Sequence, residues 1–121
     1  LFVPVLRNVD TMPPEELERG LQRLIADTQA RRVPPEDLRG NTITLSNYGT
    51  IAGRYASPVV VPPTVAILGA GRVRDEAVAR NRQVVVHRVL PLSLTFDHRC
   101  VTGGEAGRFL AAAIADLELP A

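Results

Sequence analysis

The sequence predicts a mixed α/β domain, and three patterns carry the prediction. Apolar residues recur at helical spacing between residues 13 and 32. Polar and apolar residues alternate in short runs between residues 41 and 96. An Ala-rich stretch, Gly104 to Leu117, has the composition of a second helix. One dominant sheet with two helices is expected, without internal repeats or low-complexity linkers.

Residues 1–9 read as a strand, with Pro4 placing it at an edge because proline cannot donate to a ladder. The chain opens on this run as if a strand were entered mid-way, so a part of a longer domain is expected. From Pro13 to about Arg32, Leu17, Leu21, Leu24, Ile25 and Thr28 fall on one helical face. Thr11 or the Pro13-Pro14 pair starts this helix, Glu15 and Glu16 suit the positive end of its dipole, and Arg31 and Arg32 suit its last turn. Pro34-Pro35 ends it, and Pro35 to Leu38 can add one short turn before Gly40. Asn41 to Ser46 alternates as a half-buried strand and breaks at Asn47-Tyr48-Gly49. Val59 to Val61 and Val65 to Leu68 read as extended runs divided by Pro62-Pro63. Gln83 to Phe96 is the longest extended stretch, with Leu92, Leu94 and Phe96 on one face and Ser93 and Thr95 on the other. A charged turn is expected near Ala79-Arg80-Asn81.

Composition removes several classes of function. The chain has 121 residues, one domain's worth, of which 45% are hydrophobic and only 4% aromatic, so its core must be aliphatic. A net charge of +1 leaves no electrostatic footprint for nucleic acid or an anionic membrane. All 14 basic residues are Arg, which excludes a Schiff base or a lysine-attached cofactor within these residues. A lone cysteine, Cys100, cannot form an internal disulfide and fits a reducing compartment. No apolar run reaches the roughly 18 residues that span a bilayer, and no metal site is expected.

Chemistry concentrates at one corner, Phe96-Asp97-His98-Arg99-Cys100-Val101-Thr102-Gly103-Gly104. Gly69-Ala70-Gly71 lacks the third glycine and following helix of a dinucleotide turn, since Arg74 stands at that position, and is read as a bulge or turn. His87, inside a strand, is read as structural or exposed. His98 stands where a strand meets a helix, held by the sheet yet free to face a cleft, and imidazole moves protons near neutral pH. Cys100 as a thiol partner of His98 is weighed against a small buried hydrophobe, and the latter is preferred. A Ser46–His98–Asp97 hydrolase triad fails twice. Ser46 lacks the G-x-S-x-G elbow, and adjacent Asp97 and His98 point to opposite faces. Thr102-Gly103-Gly104-Glu105 has the spacing of a capping box, which would pin the helix start beside His98.

The corner Asp97-His98-Arg99-Cys100-Val101-Thr102-Gly103 resembles the D-H-R-x-x-D-G signature of the acyltransferase subunits of 2-oxo acid dehydrogenase complexes. Four further segments are similar to the same family and follow its order: Leu1 to Val5, Thr42 to Gly49 (T-x-S-N-x-G), Pro62 to Gly69 (P-P-x-x-A-I-L-G), and Leu92-Ser93-Leu94. The resemblance implies a chloramphenicol acetyltransferase-like fold, a mixed sheet flanked by helices. Residues 1–121 would form the C-terminal half of the catalytic domain, without its first half and without lipoyl and subunit-binding domains. Such a half would leave an open sheet edge, so it is not expected to fold alone.

The same resemblance implies an acyl transfer between a dihydrolipoyl arm, carried on a separate domain, and coenzyme A as substrate. His98 would be the general base for the coenzyme A thiol and Ser46 the hydrogen-bond donor to the oxyanion, the two coming from neighbouring subunits of a trimer. Asp97, Arg99, Thr102 and Gly103 would support them, and no residue for coenzyme A or metal is assigned. Where the family carries Asp or Asn, this chain has Thr102, which keeps the cap but loses a carboxylate contact. Homotrimers would assemble into a larger core, cubic or dodecahedral, with a 2-oxo acid decarboxylase, dihydrolipoamide dehydrogenase and the lipoyl domain as partners. The bacterial cytoplasm is the expected compartment, with the mitochondrial matrix the alternative. The runs Leu45 to Gly53 and Pro58 to Pro63 look closer to branched-chain acyltransferases than to acetyl (pyruvate dehydrogenase) or succinyl ones. Two alternatives are a non-catalytic scaffold subunit and an antibiotic-modifying or peptide-condensing acyltransferase, which would favour His-His at residues 97 and 98.

Overall fold

The computed structural model describes residues 2–119 and divides into two compact units, Leu1–Thr42 and Ile43–Ala121. In the first, helix α1 (Pro14–Gln29) starts on Pro14, whose missing N–H costs nothing at a first turn, with Glu15 and Glu16 behind it. Leu24 is buried on its apolar face, and the Thr28 hydroxyl donates back to the Leu24 carbonyl at 2.7 Å. The helix stops earlier than its spacing predicted. Arg31 turns left-handed (φ 55°), so Arg31 and Arg32 close the C-terminus from outside, donating to the carbonyls of Thr28 and Asp27.

The strand expected over residues 1–9 does not form across its described part, and Leu1 lies outside the described residues. Residues 2–8 join no ladder: the Val5 N–H donates singly to the Asp37 carbonyl, Pro4 has no N–H to add, and Asn8 turns left-handed (φ 54°). Arg7 anchors the segment, its guanidinium donating to the carbonyls of Glu36 (2.6 Å) and Arg39 (2.8 Å). Glu36 lies within, and Arg39 just after, the short 3-10 turn Pro35–Leu38, which forms where Pro34-Pro35 predicted one.

The second unit holds five strands and one helix among the described residues: β1 (Thr44–Asn47), β2 (Ala66–Ala70), β3 (Arg74–Arg80), β4 (Gln83–Val89), β5 (Leu92–Phe96) and α2 (Gly103–Leu117). They make two sheets rather than the single dominant one expected. A three-stranded mixed sheet runs β1-β2-β5, with β1 parallel and β5 antiparallel to the central β2. A separate ribbon pairs β3 with β4.

The long extended stretch is divided at Leu90-Pro91 because Pro91 cannot extend the β4 ladder, and β5 joins the other sheet. β3 was not predicted, because its charged sequence hides a register in which Glu76 and Val78 are half-buried while Asp75, Ala77 and Ala79 are exposed. The turn lies at Asn81-Arg82, both left-handed (φ 52° and 63°), as a two-residue type I′ hairpin requires. Val59 to Val61 stays outside any strand, with Val59 and Val61 exposed. Gly69 continues β2 instead of marking a bulge. It is needed there because a Cβ would lie 2.9 Å from the Tyr48 ring, so that ring can lie close against the strand.

Candidate active site

β5 delivers the corner that carries His98. Its last ladder bond runs from the Asp97 N–H to the Val65 carbonyl at 2.8 Å, and the chain then turns at once. The Asp97 carbonyl accepts the N–H groups of both Cys100 and Val101 at 3.0 Å, curling residues 97–101 into one tight turn. The Asp97 carboxylate is engaged as well. Oδ1 accepts the Arg99 backbone N–H (2.9 Å), and the two oxygens accept Arg99 Nε (3.0 and 3.2 Å) and Nη2 (2.6 Å). Hydrogen bonds from the Arg99 side chain, then from its backbone, lower the Asp97 pKa to about 2, and the same pairing raises that of Arg99.

His98 therefore projects from a turn fixed on both sides, and it is exposed. Its ring meets Phe96 with centroids 5.5 Å apart and planes tilted by 47°, an ordinary aromatic contact that limits the ring's sweep. Beyond it the predicted capping box is present in full. Thr102 Oγ1 accepts the Glu105 N–H at 3.3 Å, and Glu105 Oε2 accepts the Thr102 N–H at 2.8 Å and the Thr102 hydroxyl at 2.7 Å. Backbone and then hydroxyl donation from Thr102 lowers the Glu105 pKa. Gly103 opens α2 with open space at its Cβ position.

Ser46 sits elsewhere on the same sheet. It lies opposite Gly69, which in turn lies opposite Ser93, so the three share one row. Tyr48, two residues on and thus on the same face, lays its ring over Gly69, with its hydroxyl 3.5 Å from Ser93 Oγ. Ser93 Oγ also accepts the Ala56 N–H at 3.2 Å. Tyr48 and Ser93 were not singled out from the sequence, although the two-residue spacing from Ser46 was the available signal.

His98 and Ser46 are not brought together. Asp97 lies four residues along β5 from Ser93, and β1 lies two strands away from β5. At about 3.3 Å per residue and about 4.8 Å per strand, the Ser46 and Asp97 Cα atoms are about 16 Å apart. The corner and the Ser46 row are two separate places on the sheet. No triad forms, since the Asp97 carboxylate holds Arg99. Cys100 is exposed, which overturns its reading as a buried hydrophobe: the turn that fixes His98 leaves it on the surface. His87 is exposed on β4. Among the described residues no group of three or more His, Cys, Asp or Glu is placed to hold a metal ion.

The 2-oxoacid dehydrogenases acyltransferase (catalytic domain) profile matches residues 1–121. The chain belongs to this family. The succinyltransferase component of the Pseudomonas aeruginosa 2-oxoglutarate dehydrogenase complex is 39% identical over 121 residues, which is all of this chain and 30% of that protein. The cubic core of a pyruvate dehydrogenase multienzyme complex superposes with a TM-score of 0.84 at 33% identity, over 91% of this chain and 45% of that one. Azotobacter vinelandii dihydrolipoamide acetyltransferase superposes with a TM-score of 0.86 at 33% identity, over 96% and 47%. In that acetyltransferase a serine, a histidine 52 positions later and an asparagine four beyond it have been studied for their role in the catalytic mechanism. Family membership bears out the mixed α/β, acyltransferase-like fold class read from the sequence, and the relatives named are succinyl and acetyl types.

Proposed function

We propose that this protein transfers an acyl group between a dihydrolipoyl arm and coenzyme A, with His98 as general base and Ser46 as oxyanion donor. One observation carries the reading. Ser46 precedes His98 by 52 positions and Thr102 follows it by four, the spacing of the three residues studied in the Azotobacter enzyme. As half-sites, the two places suit these roles. An exposed imidazole on a rigid turn can take a thiol proton without a metal, since thiol and imidazole pKa values differ by only about two units. The thiolate attacks the thioester carbonyl, the Ser46 hydroxyl hydrogen-bonds the oxyanion, and the collapse expels the lipoyl thiolate, which regains the proton from His98.

Because His98 and Ser46 stand apart within one chain, each site takes one group from each of two chains in a homotrimer. The trimer belongs to the core of a 2-oxo acid dehydrogenase complex, with a decarboxylase, a dihydrolipoamide dehydrogenase and a lipoyl domain as partners. The solved cubic core of a relative supports this, as does the exposed apolar side chain of Leu45 (69%), next to Ser46. No helix among the described residues is long and apolar enough to cross a membrane. Residues 1–121 act in this reading as the C-terminal part of the catalytic domain, and the bacterial cytoplasm is the compartment proposed, with the mitochondrial matrix the alternative, since the relatives include bacterial and mitochondrial proteins. The Leu45 to Gly53 and Pro58 to Pro63 runs support a branched-chain acyl group, against the succinyl and acetyl names of the relatives.

The test is acyl exchange between dihydrolipoamide and acetyl-, succinyl- and isobutyryl-coenzyme A by the assembled full-length protein. His98→Ala and Ser46→Ala should each lower kcat by about 10²–10³. Co-assembled in equal amounts, the two variants should recover about one quarter of parental activity, because a quarter of the interfaces pair an intact His98 with an intact Ser46. An assembled parent that transfers no donor would mean a scaffold subunit, the reading that the departure at Thr102 favours. Recovery no greater than the sum of the separate variants would place both groups on one chain.

A further inference from the structure

Outside the two half-sites, the molecule offers little that points to a ligand. The ribbon face bearing Val84 and Val86 has nothing on it to identify what covers it, and Cys100 is a single thiol. The shallow groove lined by Leu6, Met12, Glu16, Arg19, Gly20 and Arg23 carries no convergent polar set. The Asp97 corner is different, because its hydrogen bonds form a closed arrangement around the residue that precedes His98.

We infer that Asp97 is the positioning residue for His98 and acts through the backbone of Arg99, never through the imidazole. Four of its groups are committed at once. Its N–H is bound to Val65 of β2, its carbonyl to the N–H groups of Cys100 and Val101, and its two carboxylate oxygens to Arg99. The carboxylate thus bridges over His98 and fixes the peptides on either side of it. The exposures fit this direction of action: the Arg99 side chain is 84% exposed and the Asp97 side chain only 21%. The guanidinium is the loose partner, screened by solvent, so the backbone N–H contact is the one that fixes the turn. An Asp97–His98 dyad would need the carboxylate on the imidazole, and both oxygens are already occupied by Arg99.

This inference rests on the proposed role of His98, and its test separates the two. The assembled full-length protein is assayed for acyl exchange, with kcat, KM for coenzyme A and the pH profile measured for the parent, His98→Ala, Asp97→Ala, Asp97→Asn and Arg99→Ala. Asp97→Ala should lower kcat by about 30- to 100-fold with KM unchanged, the scale of a misplacement of about 1 Å. Its acid limb should not move, because the carboxylate does not act on the imidazole. Asp97→Asn keeps an amide oxygen for the Arg99 N–H and should recover most of that loss. Arg99→Ala keeps the same backbone N–H and should lose less than tenfold. Should Asp97→Ala fail to assemble, the Asp97→Asn and Arg99→Ala pair carries the same ordering.

A loss in Asp97→Asn as deep as in His98→Ala, with a displaced acid limb, would overturn the inference in favour of a dyad. Parental activity in Asp97→Ala would overturn it too. Parental activity in His98→Ala would instead remove the functional reading beneath it.

Discussion

Replacing Gly49 by Ala tests whether the end of β1, just beyond Ser46, is as tightly built as its backbone contacts require. A Cβ at residue 49 would lie 2.2 Å from the Gly71 carbonyl oxygen, 2.3 Å from its carbon and 2.5 Å from the Arg72 nitrogen. Ordinary contact begins near 3.4 Å, so one backbone must move by more than an ångström. Neither is free to do so. The Gly49 N–H is bound to the Ala70 carbonyl (3.1 Å), the Gly71 N–H to the Pro91 carbonyl (2.9 Å) and the Arg72 N–H to the Gly53 carbonyl (2.9 Å). Arg72 adds two side-chain donors, to the carbonyls of Gly49 and Ile51.

Overpacking of this kind costs about 1–3 kcal/mol, and one sacrificed hydrogen bond adds about 1 kcal/mol. The restricted unfolded chain returns about 0.4–1 kcal/mol, because Ala has fewer conformations to lose than Gly. The net expectation is a destabilisation of about 2 kcal/mol, or a melting temperature lower by about 10 °C for a domain of this size. Gly107→Ala is the control of opposite sign. It lies inside α2 with open space at its Cβ position, so Ala should stabilise by about 1 kcal/mol. Thermal denaturation followed by circular dichroism reads both. A Gly49→Ala variant that melts at or above the parent would refute the packing described here.

The cap and the corner carry two further expectations. Thr102→Ala removes the acceptor for the Glu105 N–H and the donor to its carboxylate, and should cost about 1 kcal/mol in urea denaturation. Thr102→Asn should restore most of this, and Asp should restore less, because it would face the Glu105 carboxylate. Stability should also fall in acid with a definite sign. The folded Asp97 pKa lies near 2, below its ordinary 3.8, and Glu105 lies below its ordinary 4.5. Both contributions are complete above the ordinary carboxylate range and are lost as pH falls through the depressed values. Asp97→Asn should flatten the dependence between about pH 4 and pH 2, and an unchanged pH–stability curve would show the Arg99 pairing to be without effect in solution.

Elements whose logic is local could be read from the sequence. Both helices, the Pro35 turn, β1, most of β2 and the Thr102–Glu105 box follow from spacing, proline placement and capping chemistry within a few residues. Misreadings arose where a distant partner decides. Residues 2–8 have strand-forming side chains but no strand to pair with, whereas the charged β3 forms because β4 lies alongside it. Leu90-Pro91 looked like part of one extended run because alternation continues through it, and only the change of partner shows that two sheets meet there. The site divides in the same way. Asp97, His98, Thr102 and Gly103 were legible as a contiguous corner, but the Arg99 bridge and the Tyr48 cover over Gly69 depend on three-dimensional closure.

The sheet order has a further consequence for what one chain can do. β1 runs parallel to β2 and β5 runs antiparallel, so the C-terminal ends of β1 and β5 lie at opposite ends of the sheet. Ser46 stands near one such end and His98 just past the other. With about 16 Å between the Cα atoms of Ser46 and Asp97, the residue before His98, rotamer changes do not bridge the gap, because a serine and a histidine side chain together span only about half that distance. Bending the sheet would break the ladder bonds that place both residues. A reaction that needs the imidazole on the attacking thiol and the hydroxyl on the carbonyl it attacks therefore needs a second chain to present the missing half. The large apolar side chains left exposed, with Leu45 next to Ser46 among them, are the surface on which such a pairing can be built. If the proposed roles of His98 and Ser46 hold, assembly and catalysis are one property, and a substitution at exposed Leu45 that weakens assembly should lower activity without touching either group.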